Sequence, residues 1–316
     1  MRVLVLTATQ RQPDLATLYA HLGRLVDLDL HVLDKERQRN LRRTLAPIDP
    51  SVYQRILLDL PFKHVYRQAA FLSGLPGLLI YEEDACQNYL PTSRWQGMFS
   101  RFYRRLPQAR ILVTGASVAR RLTDEGFDVR FMPKGFDPSM LFFEPGERDI
   151  ELGFIGRTAS AAYTGRKELL ERLAACEPLQ MLRAEPGEPY RKMLNRIRYF
   201  ISADVGFGEY MAKNFEAMAC GCVLLAWRQG SEEPAIGLEE GRQLLLYSDL
   251  NELRGQLQAL RADPVWAQGL ADAGRSFVDA HLGYPRLASQ LAALLAEPWP
   301  VPVSAWRALW SRLQPF

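Results

Sequence analysis

Short apolar runs alternate with longer helical patterns along nearly the whole chain, and this alternation restricts the fold more than any other feature. Residues 3–6, 28–33, 54–59, 78–81, 111–114 and 129–132 read as buried strands, with helices over 14–25, 62–73, 95–105 and 117–125 between them. The pattern pauses at residues 133–146, PKGFDPSMLFFEPG, and then resumes. Strands are expected at 151–155, 180–182, 200–205, 223–226 and 244–247, and helices at 165–175, 189–199, 210–219, 251–262, 264–281 and 284–295. Short strands separated by helices imply parallel sheets covered on both faces. Two such blocks in 316 residues fit two cores of about 150 residues each. The expected fold is therefore α/β, a pair of doubly wound Rossmann-like domains facing a cleft. The first domain spans 1–132, a linker 133–150, the second domain 151–296, and a tail 297–316. In open sheets of this kind ligands bind beyond the carboxyl ends of the strands.

Charge is unevenly spread. Residues 1–148 carry 21 Lys and Arg against 16 Asp and Glu, while the whole chain has a formal charge of only +3. That total is too small to imply nucleic-acid binding, but a basic first half suits an anionic acceptor or an anionic membrane face. The four cysteines, Cys86, Cys176, Cys220 and Cys222, form no disulfide framework and read as small buried thiols. With histidine only at positions 21, 31, 64 and 281, four converging zinc ligands are not expected. No run approaches the ~18 apolar residues of a membrane span, and MRVLVLTATQ reads as a strand, not a signal peptide. The expected location is the cytoplasm, at the inner face of the membrane if the acceptor is lipid-linked.

The densest chemical segment is residues 206–226, GFGEYMAKNFEAMACGCVLLA. A glycine-rich turn leads into a short helix that begins with Tyr210, Met211 and Ala212 and that Gly221 ends. Free N–H groups and the helix dipole at such a start suit an anion. Lys213 adds a cation near it, beside Asn214, and Glu216 falls on the same face three residues later. A carboxylate there can accept two ribose hydroxyl protons, as acidic residues do in dinucleotide sites.

This segment resembles the GT-B glycosyltransferases, in particular the retaining family 4 enzymes and the CgeB-like group with a "glycosyl transferases group 1" C-terminal domain. The family's glutamate followed by A-M-x-x-G, which binds the donor ribose, is matched by Glu216-Ala217-Met218-Ala219-Cys220-Gly221. Its interdomain motif is matched by Met132-Pro133-Lys134-Gly135-Phe136-Asp137, which places Lys134 and Gly135 at the cleft. Its F-x-G-R turn is matched by Phe154-Ile155-Gly156-Arg157, whose arginine in the family contacts the donor diphosphate. Two departures stand out. The family pairs two glutamates as E-x7-E, whereas Gly208 occupies the earlier place here and Glu209 stands one residue closer. The usual glycine pair after the first strand is replaced by Thr7-Ala8-Thr9-Gln10.

The resemblance implies metal-independent transfer of a hexose-type sugar from a nucleotide-diphosphate donor, UDP-linked by preference and GDP-linked as the alternative. It requires no cofactor and favours retention of configuration. The acceptor is expected to be a cell-surface glycan such as lipopolysaccharide core or a polysaccharide. Arg157, Lys213 and, behind them, Lys167 are the expected cations for the departing diphosphate. The carboxylate for the acceptor step is expected from Glu82-Glu83-Asp84, with Asp84 foremost because it lies past the strand end; Glu209 stands as the partner carboxylate. Trp306, Leu309, Trp310 and Leu313 form an apolar stripe in the tail, expected to cross back onto the first domain, with a membrane-interface anchor as the alternative. A dehydrogenase fingerprint, a P-loop and a nucleophile elbow are absent. The remaining rivals are a nucleotide-sugar epimerase of the same fold and a catalytically silent sugar-nucleotide-binding partner protein.

Overall fold

The computed structural model describes residues 1–158 and 164–299. The first sheet contains β1 (Arg2–Ala8), β2 (Asp27–Leu33), β3 (Arg55–Asp59), β4 (Leu78–Glu82), β5 (Arg110–Val113) and β6 (Asp128–Phe131), all parallel in the order β2-β1-β3-β4-β5-β6. The second contains β7 (Ile150–Ile155), β8 (Leu179–Leu182), β9 (Ile197–Ser202), β10 (Val223–Trp227) and β11 (Leu245–Tyr247), parallel in the order β11-β10-β9-β7-β8. The burial follows position in the sheet. Central β1 is buried at six successive residues, because helices cover both its faces, whereas edge strands β2 and β8 keep half-exposed side chains. Strand order reverses between β1 and β3 and again between β7 and β9, which opens a crevice at the carboxyl end of each sheet.

All eleven expected strands form. The differences lie in the helices. The expected helix over 62–73 is two single turns, Phe62–Val65 and Ala69–Leu72, because the Gln68 side chain is drawn to the neighbouring segment. Its amide donates to the Gln38 and His64 carbonyls and accepts from the Leu41 N–H. The helix expected over 189–199 stops at Arg196, and the β-favouring run from Ile197 joins β9. Among the cysteines, Cys176 is exposed and the other three are buried.

The return to the first domain also begins earlier than the sequence reading places it. The helix Tyr284–Ala296, assigned above to the second domain, packs on the first: Leu287, Leu291 and Leu295 join Leu15, Leu18 and Leu22 of the helix Gln12–Leu22 in one core. An apolar face spaced at 3–4 residues buries itself wherever a matching face is offered. The outgoing and returning chains meet side by side, Phe136 donating to the Leu282 carbonyl and accepting from the Tyr284 N–H. Gly135 permits that approach, since an added Cβ would lie 2.3 Å from the Leu282 carbonyl oxygen. Glu297 and Trp299 continue along the first domain, the indole lying between the Arg55 and Arg110 guanidinium groups at 4.5 and 4.4 Å. The Trp306–Leu313 stripe lies outside the described residues. No described helix is long and apolar enough to cross a membrane.

Candidate functional site

Two cavities, of about 690 and 830 Å³, open between the domains and share one residue, Asp14. The smaller is built around the helix Ala212–Ala219. Met211 precedes it in extended conformation, so the helix starts abruptly and the first-turn N–H groups have no partner within it. Gly221, at φ +80°, ends it where a Cβ would strike the Arg148 and Phe143 side chains. Met211, Ala212 and Glu216 line this cavity together with Lys134, Gly135 and Glu83 from the facing side.

Glu216 accepts a 2.6 Å hydrogen bond from the Tyr190 hydroxyl. Burial pushes its carboxyl up to about 7, the Tyr190 bond opposing and the Asp14 charge adding to the rise. Lys213 stands behind the helix start. Its ammonium lies 3.9 Å from Asp204 and 4.5 Å from the Phe154 ring centre, and burial brings it down to about 8. Gly156 makes room for it, since a Cβ there would come within 2.8 Å of the Lys213 nitrogen. Asp204, fully buried at the end of β9, organises this corner. It accepts from Arg166 at 2.6 Å, from the Asn214 side chain at 2.8 Å and from the Met211 N–H at 3.4 Å. Lys213 and Arg166 keep it ionised against its burial.

The expected site residues therefore divide. Glu83, Lys134, Gly135, Met211, Ala212 and Glu216 meet in the smaller cavity, and Asp84 and Arg157 in the larger. Asn214 and Lys213 line neither and support the helix start from behind. Tyr210 is a core residue whose hydroxyl donates to Glu233. Lys167 projects from the helix Thr164–Ala174 to solvent and pairs with Glu171 one turn on. Its neighbour Arg166 is the buried cation, because 166 shares the apolar stripe of Leu169, Leu170 and Leu173. That spacing is legible in the sequence, so the better choice could have been found.

Glu209 is likewise withdrawn from both cavities. It accepts from the Lys134 ammonium at 3.1 Å and from Thr114 at 3.3 Å, fully buried between the domains. The pair holds Lys134 charged where burial alone would discharge it. Glu232, also buried, adds a second tie by accepting from the Ala116 and Ser117 N–H groups at 2.9 and 2.7 Å, capping a first-domain helix from the second domain. Glu83 ion-pairs with Arg11, which also meets Asp59 at 3.1 Å. Asp14, which the sequence reading passed over, stands in the first turn of the helix Gln12–Leu22, which follows β1 where the strand order reverses. Partial burial and the nearby Glu83 raise its carboxyl above the ordinary range, Arg11 opposing. Among the described residues no group of three His, Cys, Asp or Glu side chains could hold a metal ion.

This architecture is that of known sugar transferases. Residues 155–293 match the model of a family described as glycosyl transferase-like. No curated protein matches the sequence. Among solved structures, HepE (Alr3699) of Anabaena with UDP and glucose superposes with a TM-score of 0.70 at 12% identity, covering 94% of this chain and all of the other. Sucrose-phosphate synthase (tll1590) of Thermosynechococcus elongatus gives 0.66 at 15% identity, over 99% and 100% of the two chains. The β-glucosyltransferase of phage T4 with UDP-glucose gives 0.56 at 9% identity, over 94% and 100%. The chain thus carries a glycosyl transferase-like second domain, residues 155–293, within the two-domain GT-B fold of these solved structures.

Proposed function

We propose that the chain moves a hexose-type sugar from a UDP-sugar to a cell-surface glycan, lipopolysaccharide core or polysaccharide, with the donor in the smaller cavity. The observation that carries this reading is Glu216, one turn into a helix whose free amides open onto the same cavity. The diphosphate sits at the helix start, with Lys213 and the dipole stabilising the leaving group. The ribose hydroxyls donate to Glu216, in competition with Tyr190. The loop after β8, with Ala184, Pro186 and Gly187, offers the base an apolar wall. UDP is favoured over GDP because HepE structures hold UDP and UDP-glucose. The basic first domain supports an acceptor met at an anionic membrane face in the cytoplasm.

The resemblance of the Glu216 segment to family 4 supports retention of configuration. A second stereochemical reading rests on Asp14. Its carboxylate lies on the walls of both cavities, where it can take the proton of an acceptor hydroxyl attacking the sugar carbon, and that displacement inverts the anomer. Asp84 lines only the acceptor-side cavity. Incubation with UDP-glucose and candidate glycans, followed by UDP release and by the anomeric NMR coupling of the product, tests all of this. Acceptor-dependent UDP release supports transfer. Sugar conversion with no acceptor would establish the epimerase instead, and binding without turnover the silent partner.

A further inference from the structure

The larger cavity, about 830 Å³, is built unlike the donor cavity. Its floor is aromatic: Phe62 stacks on Phe99 at 3.8 Å and meets Trp95 edge-on at 5.3 Å. Four cations surround this floor. Arg11 is committed to Asp59 and Glu83. Lys63, Arg94 and Arg157 form no ion pair among the described residues, although Arg94 lies over the Trp95 ring at 4.7 Å. Two carboxylates, Asp14 and Asp84, share the wall. Uncommitted like charges in one concave space repel one another and gain most from an anionic guest. A guanidinium lying over an indole can still present its donors to a carboxylate or phosphate, while the part of Trp95 left exposed can take the apolar face of a sugar ring.

We infer that this cavity binds the acceptor through a negatively charged sugar, one bearing a carboxylate or a phosphate, seated on Trp95 and held by Lys63 and Arg94. Arg157 closes the cavity from the second domain and brings a third positive charge to the same anion. The assignment rests on the donor reading for its role in transfer, but its charge preference can be measured independently of that reading.

The test is titration calorimetry on the full chain, with and without saturating UDP. The probes are methyl glucuronide, glucose 6-phosphate, methyl glucoside and inorganic phosphate. One of the two charged sugars is expected to bind at least roughly tenfold more tightly than methyl glucoside, the scale of one charge-assisted hydrogen bond. Whichever does so identifies the charged group. Lys63→Ala and Arg94→Ala should each erase most of that preference, and Trp95→Ala should weaken charged and neutral sugars alike. All three should leave UDP affinity intact, which also shows that they fold. Equal affinity for neutral and charged sugars would overturn the assignment, as would inorganic phosphate binding as tightly as the sugar phosphate. So would a charge preference that survives Lys63→Ala/Arg94→Ala. Failure of UDP alone to bind overturns the donor reading and leaves the comparison without UDP to decide this one.

Discussion

Replacing Glu216 by glutamine should produce two opposite effects, both of which follow from its surroundings. In the free protein, burial raises the carboxyl from 4.5 to about 7. A folded-state value above the unfolded one means that the native chain binds the proton more tightly, so stability is lost as pH rises from about 4.5 to 7 and stays lost above it. At 1.36 kcal/mol per pH unit the full loss is about 3 kcal/mol, and partial solvent contact reduces it to roughly 1–3 kcal/mol. Glu216→Gln carries no ionisable group, so it should be as stable as the wild type at pH 4.5 and more stable at pH 8 by that amount. UDP binding should move the other way. Two ribose hydrogen bonds to an ionised acceptor, each worth roughly 1.5–3 kcal/mol before competition from Tyr190, should weaken to neutral ones and cost on the order of 30-fold or more in affinity. Urea denaturation at the two pH values and calorimetry with UDP measure both. Identical pH-stability profiles for the two proteins, or unchanged UDP affinity, would refute the reasoning.

Further outcomes follow from the same geometry. UDP-glucose affinity should be greatest between about pH 7 and 8, falling below as Glu216 protonates and above as Lys213, held at about 8, loses its charge; Lys213→Met should flatten the alkaline limb in a calorimetric pH series. Lys134→Met should destabilise the fold by roughly 3–5 kcal/mol by leaving Glu209 buried and unpaired, and Lys134→Met/Glu209→Leu should recover much of it in urea. Gly135→Ala should cost on the order of 1–3 kcal/mol or more, because its Cβ meets backbone at Leu282 that cannot swing aside. Asp14→Asn should lower kcat at least roughly 100-fold with little change in UDP-glucose affinity if it is the base, in steady-state and binding assays run together.

The strands were legible because each is a short apolar run punctuated by turn residues, and burial in a parallel sheet demands that run whatever the partner. Helix limits were less so. Whether residues 62–73 form one helix depends on Gln68 finding Gln38 and Leu41, a contact 27–30 residues away in sequence that no local pattern encodes. The 284–296 face showed that it would be buried but not by which domain. At the site, Glu216 and the helix start stood out because anion binding at a helix start is local chemistry. Glu209 looked catalytic because spacing cannot reveal that Lys134, 75 residues earlier, neutralises it. Asp14 carried no motif at all; that it lines both cavities is visible only in the folded chain.

The central claim, a uridine sugar nucleotide at the start of the helix Ala212–Ala219, is tested most directly by thermal unfolding of the full chain against UDP, UDP-glucose, GDP, ADP and CMP. Ligand binding to the folded chain stabilises by RT ln(1 + [L]/Kd), about 2.7 kcal/mol at 100 Kd. UDP and UDP-glucose should raise Tm clearly and the other nucleotides little. A Tm that no nucleotide moves would contradict the account.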